Sequence, residues 1–139
     1  MALTFLDTNV FVYTLDAAEP AKQKRCEDMV AQLMDAGEAV ISYQVIQEFT
    51  SVALRRFQKA QTPRELDQYL ERVLWPICTV FPSPALYSQA IAISRQTGWS
   101  FYDALMVSGA AMGGCPVLLT EDLQDGRKIR GVEIRNPFK

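Results

Sequence analysis

The sequence predicts an α/β fold: a three-layer sandwich in which a mainly parallel sheet of about five strands lies between helices. Short apolar runs alternate with longer stretches of helical periodicity, the pattern of strands joined by crossover helices. The runs are apolar throughout rather than at every second position, as expected of a sheet covered on both faces. The helical stretches also carry legible start and stop residues. At 139 residues the chain is long enough for one core, and it is read as a single domain over 1–139.

Leu3 to Leu6 reads as a buried strand that ends in the polar turn Asp7-Thr8-Asn9. Val10 to Leu15 stays apolar and fits either a strand or a first helical turn. Glu19-Pro20 opens a helix with proline at its first position, running to Ala36 and stopping at Gly37. Cys26, Met29, Val30, Leu33 and Met34 give that helix one core-facing stripe. Ala39 to Ile41 is a second strand and completes a βαβ unit. Ser42 is placed to cap a helix from Tyr43 to about Phe57, whose apolar face carries Val45, Ile46, Phe49, Val52 and Ala53. Thr62-Pro63-Arg64-Glu65 has capping-box spacing and starts a helix that ends before Pro76. Ile77 to Phe81 is a third strand, and Ser83-Pro84 starts a helix that stops at Gly98. Ser100-Phe101-Tyr102-Asp103 opens a helix to Met112, closed by Gly113-Gly114. Pro116 to Thr120 is a fourth strand and Val132 to Ile134 a fifth.

Composition narrows the chemistry. Hydrophobic residues at 49% and charged residues at 22% exclude disorder and fibrous classes. The chain has no histidine, which excludes Ser-His-Asp and Cys-His hydrolases and zinc sites built on imidazole. Neither GxGxxG nor GxxxxGK[ST] occurs. Cys26, Cys78 and Cys115 are odd in number and never spaced as CxxC, so they suit a reducing cytosol better than a disulfide scaffold. Apolar runs fall well short of 18 residues and no basic leader precedes one, so a cytoplasmic protein without a membrane span is expected. Hydrolysis by such a chain must use carboxylates, hydroxyls, lysines or a metal held by oxygen.

The carboxylates then become informative. In open parallel sheets, ligands bind beyond the carboxyl ends of the strands. Asp7 directly follows the first strand and Asp122 closely follows the fourth, so parallel pairing puts both on one rim. Asp103 sits in a first helical turn, where exposed amides favour negative charge. Glu48 lies about one and a half turns into its helix, beside the apolar stripe, and its side chain leans back toward the same rim. Two carboxylates about 4 Å apart repel by around 4 kcal/mol at an effective dielectric of 20. A divalent cation relieves that repulsion at neutral pH, and oxygen ligands alone point to Mg²⁺ or Mn²⁺. Such an ion suits hydrolysis of a phosphodiester. Setting the four acids aside leaves 14 Lys and Arg against 12 acids, with bases bunched at Lys22, Lys24 and Arg25, at Arg55, Arg56 and Lys59, and at Arg127, Lys128 and Arg130. That distribution permits a polyanionic substrate.

Leu6-Asp7-Thr8-Asn9-Val10, Gln47-Glu48-Phe49, Ser100-Phe101-Tyr102-Asp103-Ala104 and Leu119-Thr120-Glu121-Asp122-Leu123 together resemble, in order, the motif series of PIN-domain nucleases. The likeness spans the whole chain and is greatest to the small VapC-type toxin ribonucleases. It implies a five-stranded parallel sheet and a Mg²⁺- or Mn²⁺-dependent endoribonuclease acting on RNA. It also implies a homodimer inhibited by a cognate antitoxin. By position, Asp7, Glu48, Asp103 and Asp122 match the family's acids, and Asn9 and Thr120 the polar positions that support them. Glu121 and Asp125 flank Asp122, and either could supply or supplement the fourth carboxylate.

Each residue also has a plainer role open to it. Asp7-Thr8-Asn9 suits a turn, and Asp103 a capping box with Ser100. Glu48 could pair with Arg55 or Arg56. Trp75, Trp99, Phe49, Phe57 and Tyr102 read as core or dimer surface rather than base-stacking platforms. Two rival functions stand beside the nuclease. One is a non-cleaving RNA- or antitoxin-binding module. The other is an acid-cluster phosphotransfer domain, which wants DxD where this chain has Asp7-Thr8-Asn9, or paired early acids and a late lysine that are not evident.

Overall fold

The computed structural model describes residues 2–139. Strand β1 (Thr4–Leu6) leads into helix α1 (Thr8–Thr14), then α2 (Pro20–Asp35), β2 (Ala39–Ser42) and α3 (Tyr43–Arg56). Helix α4 (Pro63–Tyr69) follows, then β3 (Cys78–Val80), α5 (Pro84–Thr97), α6 (Phe101–Met112), β4 (Val117–Leu119), β5 (Lys128–Ile129) and β6 (Val132–Arg135).

The sheet runs β3-β2-β1-β4-β6-β5. All neighbours are parallel except β5 and β6, which form an antiparallel hairpin. The five expected parallel strands are present, and the two-residue β5 adds a sixth. That strand is too short and too polar to show an apolar run, so its sequence reads as loop.

Strand order explains where the site lies. The first two crossovers step from β1 to β2 and on to β3, whereas the third returns past β1 to β4. Right-handed crossovers then place α1 to α4 on one face and α5 with α6 on the other. Accordingly, α1 packs on α2 and α3, while α5 packs on α6, which crosses β2, β4 and β6. The reversal occurs between β1 and β4, and the rim beyond their carboxyl ends is the switch point of the sheet. Phe5, Leu6, Ile41, Leu118 and Ile134 fill the centre of the core with no exposed surface.

Local chemistry accounts for the remaining differences. Val10 to Leu15 is helical because the Asp7 side chain accepts from the Thr8 amide and caps α1. Thr62 and Glu65 form the expected capping box, with Pro63 at the first helical position. The helical path does not end before Pro76 but continues as a π turn (Leu70–Leu74) and a 3₁₀ turn (Trp75–Ile77). Proline is tolerated there because it stands in the first turn of a new helical register. Ser42 stands at the start of α3 yet makes no side-chain cap. Its backbone ends β2, and its buried Oγ has no protein partner.

The β5–β6 turn contains Arg130 at φ 51° followed by Gly131 at φ 77°. Two-residue hairpins of this hand favour Asn-Gly, and the left-handed region costs most L-residues about 1–2 kcal/mol. Arg130→Asn is therefore expected to stabilise the fold by about 1 kcal/mol in urea denaturation. An unchanged or lower midpoint would contradict the strain.

Candidate active site

Asp7 is held at the junction of three elements. It follows β1 and caps α1, and its amide donates to the Leu119 carbonyl at the end of β4 (3.1 Å). Its Oδ1 accepts from the Thr8 amide (2.6 Å), and its Oδ2 from the hydroxyl of Thr120 (2.6 Å). Thr120 Oγ1 in turn accepts from the Asp122 amide (3.1 Å), so one buried hydroxyl links two acids. Burial pushes the Asp7 carboxyl up to about 6, and the charges of Asp122 and Glu48 push in the same direction. The hydrogen bonds from Thr120 and Thr8 restrain the rise.

Glu48 reaches the same place from α3. Its Oε1 accepts from Thr8 Oγ1 (2.6 Å) and its Oε2 from Gln44 Nε2 (3.1 Å). Gln44 Nε2 also donates to the Tyr102 carbonyl (3.0 Å), tying α3 to the first turn of α6, where Asp103 sits. Ser100 Oγ accepts from the Asp103 amide, so Asp103 stands in the first turn of a capped helix. Asn9 Nδ2 donates to Asp122 Oδ2 (3.3 Å). Asp122 titrates above its ordinary range through partial desolvation, then through the charges of Glu121, Asp103 and Glu48.

These residues border one open groove of about 410 Å³, lined by Asp7, Thr8, Asn9, Gln44, Glu48 and Asp122, with Tyr102 and Arg55 also on its walls. Asp103 is not part of the lining but lies close enough for its charge to act on Asp122. Glu48 forms no ion pair with Arg55 or Arg56. Arg56 instead holds the buried Asp16 of the α1–α2 connection (3.1 Å). Among the described residues, none of the four acids has a lysine or arginine within ion-pairing distance.

The two flanking acids point elsewhere. Glu121 is bound by the Tyr13 hydroxyl and by Lys22 (3.1 Å). Asp125 accepts from the Asn136 amide (2.8 Å) and so ties down the C-terminal segment. Of the three neighbouring acids, only Asp122 lines the groove.

Thr8, Gln44 and Tyr102 did not stand out in the sequence as site residues. Gln44 was findable, because a glutamine four residues before a glutamate shares its helix face. Thr8 and the Tyr102 carbonyl act through contacts that only the folded chain makes.

The groove supplies hard oxygen donors only, and its net charge is uncompensated by any paired cation. That donor chemistry suits Mg²⁺ or Mn²⁺. As placed, no three acids among the described residues stand close enough to share one ion. Asp7 and Glu48 are each held instead by two hydrogen bonds from the chain.

Thr120→Val removes the hydroxyl while keeping the shape. It is expected to cost about 1–3 kcal/mol, because the Asp122 amide loses its buried acceptor. It should also raise the Asp7 pKa further, moving the acidic limb of any pH–rate profile to higher pH. An unshifted limb would show that the Thr120 hydroxyl does not set that ionisation.

Comparison with known proteins agrees with this architecture. The PIN domain family model matches residues 4–128. Ribonuclease VapC7 of Mycobacterium tuberculosis is 31% identical over 122 residues, covering 84% of this chain and 80% of that one. Among solved structures, VapBC2 from Rickettsia felis, bound to a DNA fragment from their promoter, superposes with a TM-score of 0.65 at 20% identity, covering 96% of this chain and 98% of that one. VapC20 of Mycobacterium tuberculosis, a sarcin-ricin loop cleaving toxin, superposes with a TM-score of 0.59 at 17% identity, covering 86% and 89%. Because the PIN domain model matches residues 4–128 and a VapC ribonuclease is 31% identical over 84% of the chain, this chain belongs to the PIN-domain family in its VapC-type branch.

Proposed function

We propose that the chain is a metal-dependent endoribonuclease, the toxin of a toxin–antitoxin pair, which hydrolyses RNA phosphodiester bonds in the cytoplasm. The observation that carries this reading is the groove itself. Asp7, Glu48 and Asp122 come from three separate stretches of chain and line one surface, with Asp103 beside them and, among the described residues, no lysine or arginine paired to any of them. Family membership and the ribonuclease name of a relative at 31% identity support it.

Asp7, Asp103 and Asp122, with Glu48, would hold Mg²⁺ or Mn²⁺. When bound, such an ion neutralises phosphate charge and acidifies water. The chain's own contributions follow from its contacts. Thr120 and Thr8 fix both oxygens of Asp7 at the wall of the groove. Glu48 is oriented through both oxygens by Thr8 and Gln44, and serves to take a proton from attacking water. Asn9 steadies Asp122. The protein partner in this reading is a cognate antitoxin, and the working form a homodimer. No helix among the described residues is long and apolar enough to cross a membrane.

A second reading, a PIN-like module that binds RNA or antitoxin without cutting, is favoured by one observation: among the described residues no three acids are drawn around a single point. Incubating the purified chain and its Asp103→Asn variant with end-labelled single-stranded RNA and Mn²⁺ separates the two. Cleavage by the wild type and its loss in the variant are expected. Binding without cleavage would reject the nuclease, and cleavage equal in both proteins would remove Asp103 from the chemistry.

A further inference from the structure

The groove has two ends that differ chemically from its acidic centre. Gln44, Glu48, Ser51 and Arg55 follow one another along a single face of α3, and all four line the groove. At 1.5 Å per residue, Gln44 and Arg55 are roughly 16 Å apart along the axis, with Glu48 between them. Gln44 is hydrogen-bonded to the Tyr102 carbonyl, so Tyr102 marks one end and Arg55 the other.

The sequence offers Tyr102 to the core or to a dimer surface; the residue is 66% exposed, which excludes the core, and it borders the groove. It is braced from behind by Phe101 (ring centroids 5.5 Å), itself against Tyr87 (5.6 Å). A tyrosine buried in a core would not stand free in this way, and its fixed backbone limits the entropy lost when a flat ligand settles on it. Arg55 is the only lysine or arginine among the described lining residues, and it has no ion pair or side-chain hydrogen bond among them. An unpaired arginine on the wall of an acidic groove remains available to an incoming anion.

We propose that Tyr102 and Arg55 are the two grips of this groove on single-stranded RNA: Tyr102 stacks a nucleobase, and Arg55 holds a backbone phosphate on the far side of the acids. The proposal rests on the nuclease reading for its substrate, and it assigns binding residues outside the carboxylate set. Aromatic stacking tolerates any base, whereas a paired base in a duplex has no free face to offer. The stretch between the two grips exceeds the 3.4 Å occupied by one stacked nucleotide, so the acids lie beneath the chain between them.

The test uses the full chain, a mixed-sequence single-stranded RNA oligomer, and the same oligomer annealed to its complement. Tyr102→Ala is expected to raise both KM and the dissociation constant measured by fluorescence anisotropy about five- to hundredfold, with kcat changed far less, and Tyr102→Phe to restore them. Arg55→Gln should weaken binding and reduce the slope of log affinity against log salt by about one. The duplex should bind the wild type and Tyr102→Ala alike. Both positions are exposed, so melting temperatures near wild type should accompany these losses. Unchanged KM and affinity in both variants, or a loss on duplex RNA in Tyr102→Ala equal to that on the single strand, would overturn the proposal. If the wild type cleaves no RNA, the nuclease reading fails, while the anisotropy series still decides whether these residues grip RNA.

Discussion

Asp7→Asn is expected to lower RNA cleavage at least about a hundredfold and, at neutral pH, to raise the thermal stability of the fold. Both effects have one origin. Asp7 is almost wholly buried, and its carboxyl is pushed up to about 6. Keeping it charged at pH 7 therefore costs folding free energy, about 3 kcal/mol if the full difference from 3.8 is expressed. Asparagine removes the charge and remains an effective helix cap for Thr8. Its amide must then donate to Thr120 Oγ1, leaving that hydroxyl without its present acceptor, so a net gain of about 1–2 kcal/mol is expected, or several degrees in melting temperature. Loss of an acid that acts in the reaction typically costs a hundredfold or more. Cleavage assays and calorimetry on the same preparation check both halves. Full activity in Asp7→Asn would remove Asp7 from the chemistry, and a lower melting temperature at pH 7 would contradict the burden of its charge.

Removing divalent ions is expected to abolish cleavage and to expose a pH dependence of stability that Mn²⁺ suppresses. The folded-state pKa of Asp7 is raised, so the native state binds its proton more tightly than the unfolded chain does. Stability is then highest below about 4 and falls as pH rises toward 6, after which this contribution is constant. Asp122 is shifted in the same direction and adds to the decline. Glu65 and Glu133 are lowered, which acts in the opposite sense, but Glu65 is exposed and Glu133 lies at the surface in an ion pair with Arg135, so both contribute weakly. In EDTA, the unfolding free energy from urea denaturation should drop by about 2–3 kcal/mol between pH 4 and pH 7. Mn²⁺ at a hundred times its dissociation constant returns about 2.7 kcal/mol at pH 7, and little at pH 4, where protonated carboxyls do not ligate. Identical pH profiles with Mn²⁺ and with EDTA would mean that the groove does not bind the ion.

Much of this arrangement is legible in the amino-acid order. The continuously apolar strands, the Thr62–Glu65 box, the Ser83 and Ser100 caps and the glycine stops locate most elements, because each depends on neighbours a few residues away. Val10 to Leu15 resists such reading, since a short apolar run carries no period, and the Asp7 side chain decides it by capping. The Pro76 boundary fails for a related reason: the chain changes helical type through the proline instead of ending there. Glu48 stands out in the sequence as an acid beside an apolar stripe, but its partners do not. The alternative pairing with Arg55 or Arg56 is not made; Thr8 and Gln44 hold Glu48, while Arg56 serves the buried Asp16.

What the sequence alone determined is the α/β class, the order of elements and the kind of chemistry, because a chain without histidine, with no CxxC pair and with acids at strand and helix ends, offers oxygen donors at those ends. Tertiary structure decided which acids face the groove. Glu121, Asp122 and Asp125 are equivalent by position in a polar loop. They separate only because Lys22 with Tyr13 binds the first, Asn9 and Thr120 orient the second, and Asn136 holds the third. Those contacts join distant stretches across a reversal of strand order between β1 and β4, and no local pattern encodes them.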